Sequence, residues 1–234
     1  AFTGEVKGKV RTIALLDSRC TQCANVSALV TNMQDAGIYV EEEKSYGSYD
    51  TRAKKLIADL NVTKLPALLI SDDIEVYPFV QGLQQAGLEV NEGYYVVEST
   101  APYLEVASGK VRGLISITLL GDESCTQCYD VRLHKTILAR GGLFIDKDVT
   151  IDVNDAEGKV LLNKYNIEKV PTVIVRGDVD IYEGFTRAWK KVGTEEADGA
   201  LVFRELDALG PSNIYRDLTT GKLSRGPSVQ EPVQ

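Results

Sequence analysis

The sequence predicts an α/β protein built from two tandem domains of the same fold, each a mixed central sheet flanked by helices, produced by internal duplication. Three observations lead to this prediction. The chain has 234 residues, enough for two domains of about 110 residues each. The motif Cys-Thr-Gln-Cys occurs twice, and the two copies are 105 residues apart. Around each copy, short apolar runs typical of buried strands alternate with stretches of helical periodicity.

The duplication extends well beyond the motif. With an offset of 105 and no gap, residues 17–77 align with residues 122–182, and 16 of these 61 positions are identical. Ordinary residue frequencies would give roughly four identities. The similarity continues, with small insertions, to a Gly-Lys-containing turn at the end of each copy. We therefore predict domains over 1–113 and 114–226, followed by a disordered polar tail over 227–234.

Each domain shows the same order of predicted elements, namely strand, helix, strand, helix and two strands, followed by an extension. In the first domain the first five of these elements cover 11–16, 23–36, 38–42, 50–60 and 65–70. In the second domain they cover 114–120, 128–140, 144–153, 155–165 and 170–175. The strands are β-branched and apolar runs, and the last strand opens at Pro66 or Pro171, a position where proline is tolerated.

The helices have recognisable starts and ends. The first helix of each domain is predicted to begin at the motif itself, with apolar residues on one face and a glycine, Gly37 or Gly142, at its end. The second helix has Asp50 or Asp155 near its start, where a carboxylate caps free backbone N–H groups. In the second domain a short last helix of two turns is predicted over 186–192.

Composition restricts the partners of the chain. Hydrophobic residues make up 44% and charged residues 26%, which is typical of a globular protein. The net charge of −8 repels phosphate, so neither nucleic acid nor an anionic membrane surface is an expected partner. No run of about 18 apolar residues exists, so no membrane span is expected within this chain, and an anchor outside it stays open. The start at Ala1, without an initiator Met, favours a processed N-terminus and an extracytoplasmic location over a cytoplasmic one.

All four cysteines lie in the two C-x-x-C pairs. At a turn from strand to helix, the first sulfur lies beside the free N–H groups of the helix, and the helix dipole favours its thiolate. That thiolate attacks a substrate disulfide, and the second cysteine resolves the mixed disulfide. This chemistry assigns Cys20 and Cys125 as nucleophiles and Cys23 and Cys128 as resolving thiols. The oxidised sites are then the disulfides Cys20–Cys23 and Cys125–Cys128.

Two other classes of function stay open at this point. One is a metal-binding or metal-transfer module in which the four thiolates hold zinc or copper, and the other is a scaffold whose disulfides persist without turnover. Zinc sites usually bring a second ligand pair within about 15–20 residues. Here Cys125 follows Cys23 by 102 residues. We therefore expect no metal site, and no cofactor, because the cysteines themselves carry the electrons.

Three further side chains of the second domain are candidates for a functional role. The single histidine, His134, is expected to be exposed, and proton transfer is its alternative role. Tyr129 directly follows Cys128 and is a candidate for lining the site. Trp189 is expected to pack in the core rather than to bind peptides, because it lies at helical spacing from Phe185.

Each domain resembles a thioredoxin-fold domain. The matching features are a strand, a C-x-x-C at a helix start, the next strand and helix, and a proline 46 residues after the first cysteine. In that family the proline is cis and faces the active-site disulfide. The resemblance implies this role for Pro66 and Pro171, and it implies substrate docking at the preceding residues, Leu65 and Val170.

The two-domain arrangement is similar to that of the tandem protein disulfide oxidoreductases of archaea and thermophiles, and more distantly to that of protein disulfide isomerases. This resemblance implies an enzyme that exchanges disulfides with the thiols and disulfides of protein substrates. It also implies a separate redox partner, which the sequence does not identify.

The sequence departs from the thioredoxin pattern around the cysteines. The tryptophan that usually precedes the first cysteine is absent, the Gly-Pro between the cysteines is Thr-Gln, and the buried acid nine residues earlier is replaced by Arg11 or Ser116. The direction of electron flow therefore does not carry over from the family. The residues expected to tune the two sites are Arg19, Thr21, Gln22, Ser124, Thr126 and Gln127.

The two sites are expected to differ in charge. Arg19 would stabilise the Cys20 thiolate, whereas Glu123 would oppose ionisation of Cys125. We therefore expect Cys20 to be the more acidic thiol and its disulfide to be the more oxidising.

Overall fold

The computed structural model describes residues 8–227 of the chain. The predicted polar tail over 227–234 lies outside the described residues from 228 onward. The chain divides into two compact units, 1–112 and 113–234. The domain boundary expected from the sequence falls between residues 113 and 114.

The first unit contains eight strands and three α-helices among its described residues. Its strands are β1 (Val10–Leu16), β2 (Val40–Gly47), β3 (Lys64–Leu65), β4 (Ala67–Ser71), β5 (Val90–Asn91), β6 (Tyr94–Glu98), β7 (Tyr103–Glu105) and β8 (Lys110–Arg112). Its helices are α1 (Ser27–Asp35), α2 (Thr51–Asp59) and α3 (Val80–Gln85). The central sheet has the order β2-β1-β4-β6-β5, and a small sheet has the order β3-β7-β8.

The second unit repeats this arrangement. Its strands are β9 (Ile115–Gly121), β10 (Ile145–Asp152), β11 (Lys169–Val170), β12 (Thr172–Gly177), β13 (Gly193–Glu195), β14 (Leu201–Phe203), β15 (Ile214–Asp217) and β16 (Leu223–Arg225). Its helices are α4 (Leu133–Arg140), α5 (Ala156–Tyr165) and α6 (Glu183–Trp189). The sheet orders are β10-β9-β12-β14-β13 and β11-β15-β16.

Strand direction is also the same in both units. The first strand pairs parallel with the second and antiparallel with the strand that follows the proline, which in turn pairs antiparallel with the next. A βαβ crossover followed by an antiparallel pair is the central topology of a thioredoxin-like domain. The protein is therefore an α/β chain of two tandem thioredoxin-like domains.

The cores lie on both faces of each central sheet. In β4, the neighbours Leu69 and Ile70 point to opposite faces, because successive side chains of a strand alternate. Ile70 packs in the cluster that contains Met33 of α1, and Leu69 packs in the cluster that contains Ala53 of α2. All five residues of β4 are buried, as expected for a central strand covered on both faces.

The first helix of each unit begins later than the sequence predicted. α1 begins four residues after the end of the first motif, and α4 begins five residues after the end of the second. The side chain of Asn25 accepts a hydrogen bond from the Ser27 backbone N–H at 2.9 Å, and Asp130 accepts one from Arg132 at 2.9 Å. These side chains satisfy backbone donors that open a helix, so they hold the preceding residues in turns. The prediction that the helices start at the cysteines was wrong.

The last helix of the second unit also differs from its prediction. α6 begins at residue 183 rather than 186 and ends at Trp189. Within residues 8–227, no helix is both long enough and apolar enough to cross a membrane.

Candidate functional site

Each C-x-x-C pair forms a disulfide in the turn that follows the first strand of its unit. The Cα atoms are 5.3 Å apart in Cys20–Cys23 and 5.4 Å apart in Cys125–Cys128. The turn is built in the same way in both units. The N–H of Cys20 donates to the carbonyl of Asp17 at 3.2 Å, and the N–H of Cys125 donates to that of Asp122 at 3.0 Å.

The first disulfide lies beside an open groove. This cavity, of about 410 Å³, is lined by both cysteines and by Pro66, with the exposed ring of Tyr49 at its edge. The Sγ of Cys23 is 3.6 Å from the carbonyl oxygen of Leu65. In the reduced protein this carbonyl can accept a hydrogen bond from the Cys23 thiol, which favours the protonated form of Cys23 and leaves Cys20 to ionise.

The two cysteines predicted as nucleophiles differ in exposure. Cys125 is buried, with 7% of its surface exposed, whereas Cys20 is partly exposed. Their partners, Cys23 and Cys128, are both partly exposed. The groove beside the first disulfide and the exposure of its cysteines make this site the more accessible of the two.

Each proline directly precedes the fourth strand of its unit, and Pro66 lines the groove beside the first disulfide. The peptide bonds Leu65–Pro66 and Val170–Pro171 are cis, as is Ala101–Pro102. The side chains of Leu65, Pro66, Val170 and Pro171 are all buried. Any docking of a substrate at these positions would therefore use backbone groups or the proline face that lines the groove.

A small sheet covers the residues that precede the two prolines. Leu65 of β3 is the antiparallel partner of Leu104 in β7. In the second unit, Val170 of β11 is the antiparallel partner of Arg216 in β15. Leu104 and Arg216 therefore occupy equivalent positions in the two units.

A buried carboxylate lies under the first motif. The side chain of Asp17 has no exposed surface. Arg19 Nε donates to Asp17 Oδ1 at 2.8 Å and Arg19 Nη2 donates to Oδ2 at 2.7 Å, while the Ser48 hydroxyl also donates to Oδ2. The bidentate bonds from Arg19 hold the pKa of Asp17 well below its usual range.

The second motif has the equivalent carboxylate with a different arginine. The side chain of Asp122 is 1% exposed, and Arg216 Nη1 is 2.8 Å from its Oδ2, an ion pair without hydrogen-bond alignment. The Ser124 hydroxyl donates to Asp122 Oδ1 at 2.6 Å. Arg216 Nη1 also donates to the Ser124 hydroxyl oxygen at 2.8 Å. Sequence reasoning missed Arg216, because no local pattern links it to a motif 88 residues earlier.

Arg19 therefore has a counterpart in the second unit, and the charge difference expected from Arg19 and Glu123 stays a prediction. Each first cysteine follows one buried aspartate that is paired with one arginine. The backbone N–H of Glu123 donates to Asp152 at 2.6 Å, which fixes the turn on its other side.

The remaining residues expected to tune the sites lie on the outer surface. Thr21, Gln22, Thr126 and Gln127 are all exposed, and the hydroxyl of Thr21 donates to the side-chain oxygen of Gln22 at 3.0 Å. Their exposed side chains are accessible to an approaching partner.

The expectation that His134 is exposed was wrong. Its residue exposure is 3%, and its ring packs edge-on against Phe203 with the centroids 4.9 Å apart. Helix α4 turns this residue inward, and burial lowers its pKa to about 4, so the ring is neutral at physiological pH. A neutral, enclosed imidazole cannot exchange protons with the solvent around the disulfide.

Tyr129 links this histidine to the proline loop. Its hydroxyl donates to the carbonyl oxygen of Pro171 at 2.5 Å and lies 2.7 Å from Nε2 of His134. Since the hydroxyl proton is committed to the carbonyl, Nε2 carries the proton of the neutral imidazole and donates to the tyrosine oxygen. The offset of 105 places Ala24 and Leu29 at the equivalent positions, so the first unit lacks this chain of hydrogen bonds.

Metal binding was the main alternative to redox chemistry. Between residues 8 and 227, no group of three or more His, Cys, Asp or Glu side chains is placed to hold a metal ion. Among the described residues the four cysteines form two C-x-x-C disulfides, an arrangement that supports a thiol–disulfide redox role in general.

No protein-family model matches the sequence, and no curated protein matches it. Among solved structures, the chain is similar to a mutant of the alkylhydroperoxide reductase component AhpF of Enterococcus faecalis, at 13% identity. That similarity covers 77% of this chain and 91% of the other, with a TM-score of 0.22.

Proposed function

We propose that this protein is a thiol–disulfide oxidoreductase that exchanges disulfides with protein substrates through its two C-x-x-C sites. The observation that carries the proposal is the first site, where both cysteines and the cis-proline line one open groove. A disulfide of a folded protein has to be approached in line by the attacking sulfur, and an accessible groove permits this.

The reaction runs as two exchanges of a sulfur–sulfur bond. In the reducing direction, the Cys20 thiolate attacks one sulfur of a substrate disulfide, and the other substrate sulfur leaves as a thiolate. Cys23 then loses its proton and attacks the sulfur of Cys20, which releases the second substrate thiolate. The substrate gains two electrons and becomes a dithiol, while the protein becomes oxidised at Cys20–Cys23.

The same steps in reverse oxidise a substrate dithiol, and the second site follows the same scheme with Cys125 and Cys128. The Leu65 carbonyl supports this division of roles in the first site, because it favours the thiol form of Cys23. A separate thiol or disulfide partner, outside this chain, has to restore the starting oxidation state after each turnover.

The test is a redox titration of the full chain against glutathione, on protein first assayed for bound metal. Differential alkylation and mass spectrometry report each C-x-x-C separately. We expect midpoints between about −270 and −120 mV, the range of known exchange catalysts. Cys20→Ser is the matched variant, since it removes the first nucleophile and leaves the second site intact.

Two results would contradict the proposal. One is a pair of disulfides that never exchanges with glutathione, which indicates a structural scaffold. The other is purified protein that arrives with zinc or copper on its thiolates, which indicates metal binding or transfer.

A further inference from the structure

The buried aspartates of the two sites are each neutralised, but by arginines from different parts of the fold. In the first unit the arginine is Arg19, two residues after Asp17 and directly before the motif. In the second unit the position of Arg19 is taken by Ser124, and the arginine comes from β15. The two units therefore reach the same carboxylate–guanidinium pair by different routes.

The position that carries the arginine differs between the two units. Arg216 is the strand partner of the residue before Pro171, and Leu104 holds that place in the first unit. One unit thus has arginine before the motif and leucine on the covering strand, whereas the other has serine before the motif and arginine on the covering strand. A charge lost at one position and gained at the other indicates that the pair itself is needed.

We propose that Arg216 is a positioning residue of the second site, the functional counterpart of Arg19, and that each arginine offsets its buried aspartate so that the first cysteine can ionise. This inference rests on the proposed function. Its test measures only the ionisation of a cysteine, so the test itself does not depend on that function. A carboxylate three residues before a cysteine opposes the thiolate, and a paired guanidinium cancels that effect.

The contacts of Arg216 bring its charge to the motif. Its guanidinium donates to the Ser124 hydroxyl oxygen, and its Nη2 lies 3.5 Å from the Ser124 carbonyl, which belongs to the peptide bond with Cys125. The side chain of Arg216 is 27% exposed and that of Asp122 is 1% exposed, so solvent screens the pair only in part. The other carboxyl groups at this turn are those of Glu123 and Asp152.

The test measures the pH dependence of alkylation of Cys125 in the full reduced chain. A short pulse of iodoacetamide at each pH, followed by tandem mass spectrometry, measures the extent of alkylation at Cys125 and at Cys20 in the same protein sample. Arg216→Leu installs the residue found at position 104. We expect its Cys125 profile to move to higher pH, with alkylation about tenfold slower at neutral pH, the effect of about one pKa unit.

Three matched variants separate charge from structural damage. Asp122→Asn leaves the arginine without its carboxylate and should move the Cys125 profile to lower pH. The double variant S124R/R216L transplants the first unit's arrangement and should restore the profile to within about threefold of wild type. Arg216→Lys keeps the charge and should stay near wild type. In all of them the Cys20 profile should not move.

The inference is overturned if D122N and R216L move the Cys125 profile in the same direction, or if neither of them moves it. It is also overturned if the double variant stays as slow as R216L. Should R216L fail to fold, D122N is still expected to move the Cys125 profile to lower pH, and R216K is still expected to leave it near wild type; a D122N profile that does not move then overturns the inference. Alkylation needs no substrate, so a failure to exchange with glutathione would reject the proposed function and leave this result standing.

Discussion

Replacing His134 by leucine should make the free energy of unfolding of the second unit less sensitive to acid. The imidazole is buried against Phe203 with its pKa lowered to about 4, whereas an unfolded chain has an ordinary histidine near 6.5. Between these values the unfolded state binds a proton that the folded state does not. The free energy of unfolding therefore falls as the pH drops from 6.5 towards 4.

The size of the effect follows from the two pKa values. The full difference corresponds to about 3 kcal/mol of unfolding free energy, reached only below pH 4. Between pH 7 and pH 5 the loss is about 2 kcal/mol. Carboxylates also titrate in this range, so the wild type has to be compared with the variant rather than read alone.

His134→Leu is a mild replacement because the repeat places Leu29 at the equivalent position. The hydroxyl of Tyr129 keeps its bond to the Pro171 carbonyl in the variant, since His134 only donates to it. The loss of the ring should therefore remove the titration without opening the proline loop.

The assay is urea unfolding followed by tryptophan fluorescence at pH 7 and pH 5. The single tryptophan, Trp189, is 6% exposed and its ring lies 6.2 Å from that of Phe203, so its emission reports on the unit that contains His134. We expect the variant to gain about 2 kcal/mol relative to wild type between the two pH values. A difference between the proteins that stays constant with pH would refute the argument.

Two further comparisons test the local structure. Asp50→Ala should cost about 1 kcal/mol, because this side chain accepts the Arg52 N–H at 2.6 Å, whereas Asp155→Ala should cost less, since Asp155 makes no such bond. Chemical denaturation of the two variants measures both. Gly158→Ala should cost about 1–3 kcal/mol, because a Cβ would overlap the backbone of β10, while Gly184→Ala faces open space and should gain up to about 1 kcal/mol. Thermal melts that rank these two glycine variants in the opposite order would contradict the packing described above.

The sequence predicted most strands and helices to within a few residues where the signal is local. The helix predicted over 50–60 is Thr51–Asp59, and the strand predicted over 114–120 is Ile115–Gly121. Apolar periodicity and capping residues decide these elements within a few positions of the chain. The strand predicted over 38–42 continues to Gly47, because residues 43–47, which contain no apolar run, are held by parallel pairing with β1, a contact between distant residues.

The functional site was predictable only in part for the same reason. The disulfides and the prolines are visible because their spacing repeats. The burial of His134 depends on which face of a short helix turns inward. A single polar residue on that face does not reveal its burial in the sequence pattern. Arg216 meets Asp122 only after the last hairpin has folded back over the proline loop.

Because Arg216 lies far from the second motif along the chain, the two sites are completed at different times during synthesis. Arg19 is made directly before Cys20, whereas Arg216 is made 91 residues after Cys125. At about 5–20 residues per second, the second pair of thiols waits on the order of 5–20 s for its arginine to be added. The nascent protein therefore passes through a stage in which the first site has its full set of charges and the second does not. An oxidant that reacts with thiolates would meet the two sites in that order.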